Sequence, residues 1–126
     1  MLFSASTVAL IGLGIETAVG LTDGSKNAFA AAIAVSGSDV YVAGYEFSGA
    51  HNVAKYWKNG TAVGLTDGNN SAYAGSIAVS GSNVYVAGYE YNDLSHTVAK
   101  YWKNGSPVLL SDGTSSAIAN SIALGF

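Results

Sequence analysis

At 126 residues the chain has the length of about one domain, with 49% apolar and 10% charged residues, a charged share well below that of most globular proteins. It contains no arginine and carries a formal net charge of −3, so the basic surface needed for nucleic-acid binding is not encoded. The chain also lacks cysteine, which excludes disulfides and thiolate metal sites. Its 16 glycines, together with many Ala, Val and Tyr residues, predict an all-β, turn-rich fold.

The first segment, Met1–Gly14, has an apolar centre but no basic residue before it. It is also shorter than a membrane span, so we expect no membrane partner. A cleaved leader is one interpretation of this segment. We prefer a structural role, because the repeats described next assign strands to it. No feature of the chain indicates a cellular location.

The chain is built from repeats. Ala18–Gly24 reads AVGLTDG and recurs unchanged at Ala62–Gly68, then as PVLLSDG at Pro107–Gly113. The offsets are 44 and 45 residues, and a fixed period of this length is typical of propellers and other repeat architectures. The chain is therefore interpreted as one repeat domain.

Each repeat contains four short strand patterns, which we name A, B, C and D in chain order. They are rich in Val, Tyr and Ala and are separated by turn residues. The predicted strands are A at Phe29–Val35 and Tyr73–Val79, B at Val40–Phe47 and Val84–Tyr91, C at Val53–Trp57 and Val98–Trp102, and D at Ala62–Thr66 and Pro107–Leu110.

The residues that flank strand D predict the turn before it and its position in the sheet. Asn59-Gly60 and Asn104-Gly105 separate C from D, and Asn-Gly supplies the positive φ angles of a type I′ hairpin turn. Pro107 begins one D strand, and proline in a sheet is confined to edges and strand starts. Strand D is therefore predicted at the sheet edge.

Strands B and C carry a charge pattern that predicts a cross-strand ion pair. Glu46 and Lys55, like Glu90 and Lys100, lie where a B–C hairpin could bring them side by side. The aligned residues of the first repeat are Leu2 and Ile11. Both are apolar, as expected if the two positions contact each other.

The segments VYVAGYE, AKYWKNG and LTDG resemble the β-propeller repeat superfamily, and Kelch-like blades more than WD-like ones. The resemblance covers nearly the whole chain. It implies four-stranded antiparallel blades arranged in a ring, each blade covered on both faces by its neighbours.

In this register the two ends of the chain are complementary. Residues 1–24 supply strands B, C and D of a split blade, with Leu2–Ser4 as the end of B and Ala9–Leu13 as C, and residues 117–126 supply strand A. Residues 28–67 and 72–112 form two complete blades. Three blade equivalents are too few for a ring of roughly four to eight blades, so we expect two chains to form a six-bladed homodimer by strand exchange. The alternative is a fragment of a longer propeller.

The candidate ligand-binding residues lie in the loops after strand D and between B and C, which emerge on one face of the ring. Polar, variable loops on one face of a repeat array commonly bind ligands. These residues are Asp23, Asn27, His51, Asp67, Asn69, Asn70, Asp93, His96 and Asp112.

Metal binding, calcium binding and sugar stacking agree less well with the sequence than structural roles for the histidines, aspartates and tryptophans. Two equivalent histidines in separate blades are predicted to stabilise the ring or to be solvated, rather than to bind metal or act as general bases. An Asp-Gly turn with one carboxylate lacks the ligand spacing of a calcium loop, so the aspartates are predicted to accept backbone N–H groups. Trp57 and Trp102 are predicted to pack between blades rather than to stack on sugars.

We therefore favour a non-catalytic binding or scaffold module whose partners are a second copy of the chain and a small molecule, glycan or peptide. No motif predicts a cofactor, a metal or a catalytic residue. The alternatives are a hydrolase or lyase with a site at the channel mouth, and a purely structural protein. A single active site normally breaks repeat symmetry, whereas here the histidines and Glu–Lys pairs repeat.

Overall fold

The computed structural model describes residues 7–10 and 17–125. In these ranges the protein is all-β, and no helix has the length and hydrophobicity that a membrane crossing would require. The strands are β1 (Thr7–Leu10), β2 (Thr17–Gly20), β3 (Ala28–Ser36), β4 (Asp39–Phe47), β5 (Asn52–Lys58), β6 (Thr61–Gly64), β7 (Ala72–Ser80), β8 (Asn83–Tyr91), β9 (Thr97–Lys103) and β10 (Ser106–Leu109).

Two antiparallel sheets of four strands form the body of the molecule. Strands β3, β4, β5 and β6 pair in that order in the first sheet, and β7, β8, β9 and β10 do so in the second. They correspond to the predicted strands A to D of the two complete repeats, which are confirmed. Strands β6 and β10 lie at the sheet edges, as the position of Pro107 predicted.

The turn between strands C and D has the predicted conformation. Asn59 and Gly60 have φ angles of 50° and 88°, both positive as a type I′ turn requires. The Asn59 side chain also binds the neighbouring hairpin, because its Oδ1 accepts the Val40 N–H at 2.9 Å and its Nδ2 donates to Asp39 Oδ1 at 2.9 Å. Asn104 repeats this arrangement in the second sheet.

Strands β1 and β2 differ from the expected register. The repeat predicts strand C at Ala9–Leu13, with Ile11 opposite Gly20, whereas Gly20 pairs with Thr7. The residues aligned with the Asn-Gly turn are Ile15 and Glu16, which disfavour positive φ and therefore do not encode the tight turn that sets the register in the other repeats. Leu2–Ser4 and Ile11 lie outside the described residues.

The C-terminal segment, residues 116–125, forms no β-ladder, although strand A was predicted within it. An extended segment becomes a strand only when a neighbouring backbone pairs with it. This segment instead lies against the second sheet. The Ala117 N–H donates to the Thr97 carbonyl at 2.9 Å, and the Ile122 N–H donates to Ser76 Oγ at 3.1 Å.

The two sheets pack face to face. Tyr41, Ala43 and Ala54 from the first sheet form one hydrophobic cluster with Val86 and Trp102 from the second. The opposite face of the first sheet packs through a separate cluster of Val40, Val42 and Trp57, with Leu21 against it. Each tryptophan is 1% exposed. The prediction that both tryptophans pack between repeats is therefore confirmed, and neither ring is available to stack on a sugar.

A β-bulge interrupts the pairing of each A strand with its B strand. The ladder skips Ala31 in β3 and Gly75 in β7, so each A strand carries one extra residue. A glycine of the B strand, Gly44 or Gly88, pairs just before each bulge. A Cβ atom at Gly44 would overlap the carbonyl oxygen of Phe29. The two backbones therefore approach too closely for any side chain there.

We expect Gly44→Ala to destabilise the protein by about 3 kcal/mol or more, because the added methyl group meets backbone that cannot rotate away. Gly64→Ala is the matched control, since nothing lies within 4 Å of its added Cβ, and its effect should stay within about 1 kcal/mol. Urea unfolding followed by tryptophan fluorescence measures both. Equal stability of the two variants would contradict the close approach.

Candidate functional site

The predicted ion pairs are confirmed and lie between strands β4 and β5 and between β8 and β9. Lys55 Nζ lies 2.7 Å from Glu46 Oε1, and Lys100 Nζ lies 2.8 Å from Glu90 Oε1. The partners are diagonal rather than directly opposite, because Lys100 pairs with Gly88. The Lys100 side chain is 11% exposed, so this pair is shielded from water more than an ordinary surface pair.

The Asp-Gly turns after β2, β6 and β10 share one geometry. Asp23 Oδ1 accepts the backbone N–H of Ser25 at 2.9 Å and its hydroxyl at 2.7 Å. Asp112 accepts the same two groups from Thr114. Asp67 accepts the backbone N–H and the side-chain amide of Asn69. The predicted role of these aspartates as acceptors that shape the turn is confirmed.

The two histidines connect neighbouring loops. His51 Nδ1 lies 2.9 Å from the carbonyl oxygen of Gly68, and His96 Nδ1 lies 3.0 Å from that of Gly113. A carbonyl oxygen only accepts, so the contact requires a proton on each Nδ1. Each ring thus fixes the loop between B and C to the Asp-Gly turn that follows strand D of the same repeat.

A cleft of about 390 Å³ opens between the loop after β6 and the loop after β8. Asp67, Asn69 and Asn70 line one side, and Asn92 and Asp93 line the other. The Asn70 Nδ2 donates to Asp93 Oδ1 at 3.4 Å. Two adjacent repeats therefore build one polar cleft at the end of the sheets, with a direct contact between its two sides.

The partly shielded ion pair of Glu90 and Lys100 also lines this cleft. Glu90 and Lys100 line it together with Tyr91, whose side chain is 40% exposed. Lys100 and Glu90 neutralise each other, so the remaining formal charge comes from Asp67 and Asp93. The cleft therefore combines carboxylates, side-chain amides and an aromatic ring, which together accept and donate hydrogen bonds.

Four of the nine predicted site residues meet in this cleft, and the other five do not. Asp23 and Asn27 belong to the loop one repeat earlier, where Phe47 N–H donates to the Asn27 carbonyl. His51, His96 and Asp112 support loops. The residues that the structure brings together are Asp67, Asn69, Asn70 and Asp93.

Sequence reasoning did not place Glu90, Lys100, Tyr91 and Asn92 at this site. Glu90 and Lys100 were identified only as a structural pair. Their position in the sequence could have indicated this. Strand B ends beside the B–C loop, so its last residues reach the same end of the sheet as Asp93. In residues 7–10 and 17–125, no group of three His, Asp or Glu side chains could hold a metal ion.

Two turn aspartates make stability depend on pH. Hydrogen bonds lower the pKa of Asp23, chiefly the bond from the Ser25 hydroxyl, and lower the pKa of Asp112, chiefly the bond from the Thr114 N–H. A carboxyl whose pKa is lower in the folded than in the unfolded state stabilises the fold above its unfolded pKa of about 3.9. This contribution is lost as the pH falls through the folded pKa.

We therefore expect the free energy of unfolding to fall on acidification below about pH 4. The double variant Asp23→Asn, Asp112→Asn keeps an acceptor oxygen at each turn but cannot titrate, so its stability should depend less steeply on pH. Urea unfolding at a series of pH values measures both slopes. Identical slopes for the variant and the wild type would contradict the assignment.

No family model, curated protein or solved structure matches the chain. The cleft is defined by the loops of two successive repeats, by the contact between Asn70 and Asp93, and by the ion pair of Glu90 and Lys100.

Proposed function

We propose that this protein is a non-catalytic binding module whose ligand occupies the cleft between the loops after β6 and β8. The observation that carries the proposal is the convergence of Asp67, Asn69, Asn70 and Asp93 on one cleft of about 390 Å³. That volume lies within the range of small-molecule sites, about 300 to 1,000 Å³. Residues from two repeats contribute, so the site depends on repeat packing.

The polar groups of the cleft support binding more than catalysis. Both carboxylate oxygens of Asp67 accept hydrogen bonds from Asn69, and Glu90 is paired with Lys100. A general base must be free to take a proton from a substrate, and these two carboxylates already have partners. Groups held in this way present a preorganised set of donors and acceptors, which lowers the entropic cost of binding.

The ligand we propose is a small polar molecule, a glycan or a peptide with several hydrogen-bond donors. Asp93 and the Asn70 amide line the cleft and supply an acceptor and a donor. Tyr91 offers a partly exposed ring beside them. In the repeat before, Lys26 takes the place of Asn70, so the two loops differ in charge at this position.

The variant Asn70→Lys tests the cleft with a residue that the equivalent loop already accommodates. We expect it to lower the affinity for a ligand identified on glycan and peptide arrays at least tenfold, because the longer cationic side chain enters the cleft and pairs with Asp93. Ser115→Lys is the matched control, since it adds the same charge at the equivalent, exposed position of the next loop. Binding that is unaffected by Asn70→Lys, or absent from both arrays for the wild type, would contradict the proposal.

We further propose that each chain supplies half of a six-bladed propeller and that two chains close the ring. The C-terminal segment supports this arrangement by its placement. Ser116 Oγ accepts the Thr97 N–H, just as Ser71 Oγ accepts the Asn52 N–H. The segment thus lies on the second sheet as β7 lies on the first, in the position of a strand A whose strand B would come from the other copy.

The assembly is tested by size-exclusion chromatography with light scattering. We expect a single species with twice the chain mass of 12.7 kDa. Ile118→Asp should convert it to monomer, because this side chain is 52% exposed in the single chain and would become buried against the second copy. A monodisperse wild-type monomer would contradict the dimer, while leaving the binding proposal to be decided by the arrays.

A further inference from the structure

A second pocket lies away from the loop cleft, where the bulges of the A strands meet. It has a volume of about 260 Å³ and is lined by the two bulge residues, Ala31 and Gly75. Asn120, which also lines it, is the residue of the C-terminal segment equivalent to Gly75. Three successive repeats therefore contribute the same position to one pocket.

The bulges create this space. The extra residue of each A strand has no partner in strand B. Bulges of this kind bend the strand locally and are frequent beside binding sites. Ala31 and Gly75 are also small, and nothing lies within 4 Å of a Cβ placed at Gly75. At both bulges the pocket is therefore lined by residues with little or no side chain.

Three tyrosines form the wall of the pocket. The ring centroids of Tyr45 and Tyr73 are 4.7 Å apart in an edge-to-face arrangement, and those of Tyr73 and Tyr89 are 5.2 Å apart. The Tyr73 hydroxyl accepts a hydrogen bond from Asn52 Nδ2 at 3.0 Å. Each ring contacts at least one other, and all three are only partly buried. The rings therefore support one another and remain accessible to a ligand.

The polar groups of the pocket are neutral. No residue that lines it in the described part of the chain is an acid, a lysine or a histidine. Burial raises the pKa of Tyr45 and Tyr89, so their hydroxyl groups stay protonated at neutral pH. Asn120 adds a side-chain amide with two donors and an acceptor. Such a lining disfavours an ionic ligand, which would lose its hydration without gaining a counter-charge.

We infer that this pocket binds a single neutral sugar ring. Its volume is below the range of about 300 to 1,000 Å³ typical of drug-sized ligands, so one ring fits and a longer chain must extend outward. The negative π-faces of the tyrosines attract the C–H groups of a sugar face, while the tyrosine hydroxyls and the Asn120 amide bind its hydroxyl groups. A purely apolar ring would leave these polar groups unpaired.

The inference is tested by titrating the ¹⁵N-labelled chain with methyl glycosides of glucose, galactose, mannose and N-acetylglucosamine, and with phenol as a planar comparison. We expect at least one glycoside to bind with a Kd of roughly 1 mM, as suits so few contacts, and to shift the amide signals of Gly75 and Asn120. Phenol should bind at least tenfold more weakly. Binding of phenol without any glycoside would overturn the assignment to sugars.

Gly75→Leu supplies the decisive variant, because Gly75 lines the pocket and an added side chain there meets neither neighbouring atoms nor a positive φ. We expect glycoside affinity to fall at least tenfold. Gly64→Leu is the matched control, since Gly64 is equally unhindered but lies in β6, and its affinity should stay within twofold of the wild type. Equal affinity of both variants, or no glycoside response in the wild type, would overturn the inference. Asn70→Lys should leave glycoside binding here unchanged, which separates this pocket from the loop cleft.

Discussion

Every other feature of this structure depends on the packing of sheets that are apolar on both faces. In the first sheet, Val42 and Trp57 lie on one face and Tyr41 and Ala43 on the other, and all four are buried. A solitary four-stranded sheet would leave both of these faces in water, where each large side chain would forgo about 1.5–3 kcal/mol of burial. Stacking against neighbouring repeats covers both faces, so the repeat is stable only as part of an array.

This stacking also produces the clefts. Since neighbouring sheets share an apolar interface, the loops at their ends are brought together whatever their own sequences are. The pair Glu90–Lys100 lines the loop cleft. Loop residues such as Asn70 can therefore differ between repeats while the apolar interface between the sheets is kept.

The bulges illustrate a second consequence of repetition. A glycine in each B strand permits the close approach of the A strand, and the extra A-strand residue then leaves space beside it. Because the device recurs at Ala31 and Gly75, two bulges open into one pocket, and the tyrosines of adjacent repeats form its wall. A local irregularity that would only weaken a single sheet becomes a shared pocket in an array.

The sequence by itself determined the repeat length, the four strands of each complete repeat, the Asn-Gly turns and the Glu–Lys pairs. These follow from local rules, since alternation, turn chemistry and cross-strand charge act over a few residues. It also predicted Asp67, Asn69, Asn70 and Asp93 as binding residues, but without showing that they converge. The register of β1 differs from the one that the repeat predicts, and the sequence there has Ile15 and Glu16 where the other repeats have Asn-Gly.

Only the tertiary structure decided which predicted residues meet and where open space lies. His51 and Asp67 are both polar loop residues in the sequence, yet one ring is held by the Gly68 carbonyl while the aspartate lines a cleft. The tyrosine pocket had no counterpart in the sequence reading, because a void is a property of neighbouring backbones and not of any residue type. Distances between repeats are set by how sheets stack, and no local pattern encodes them.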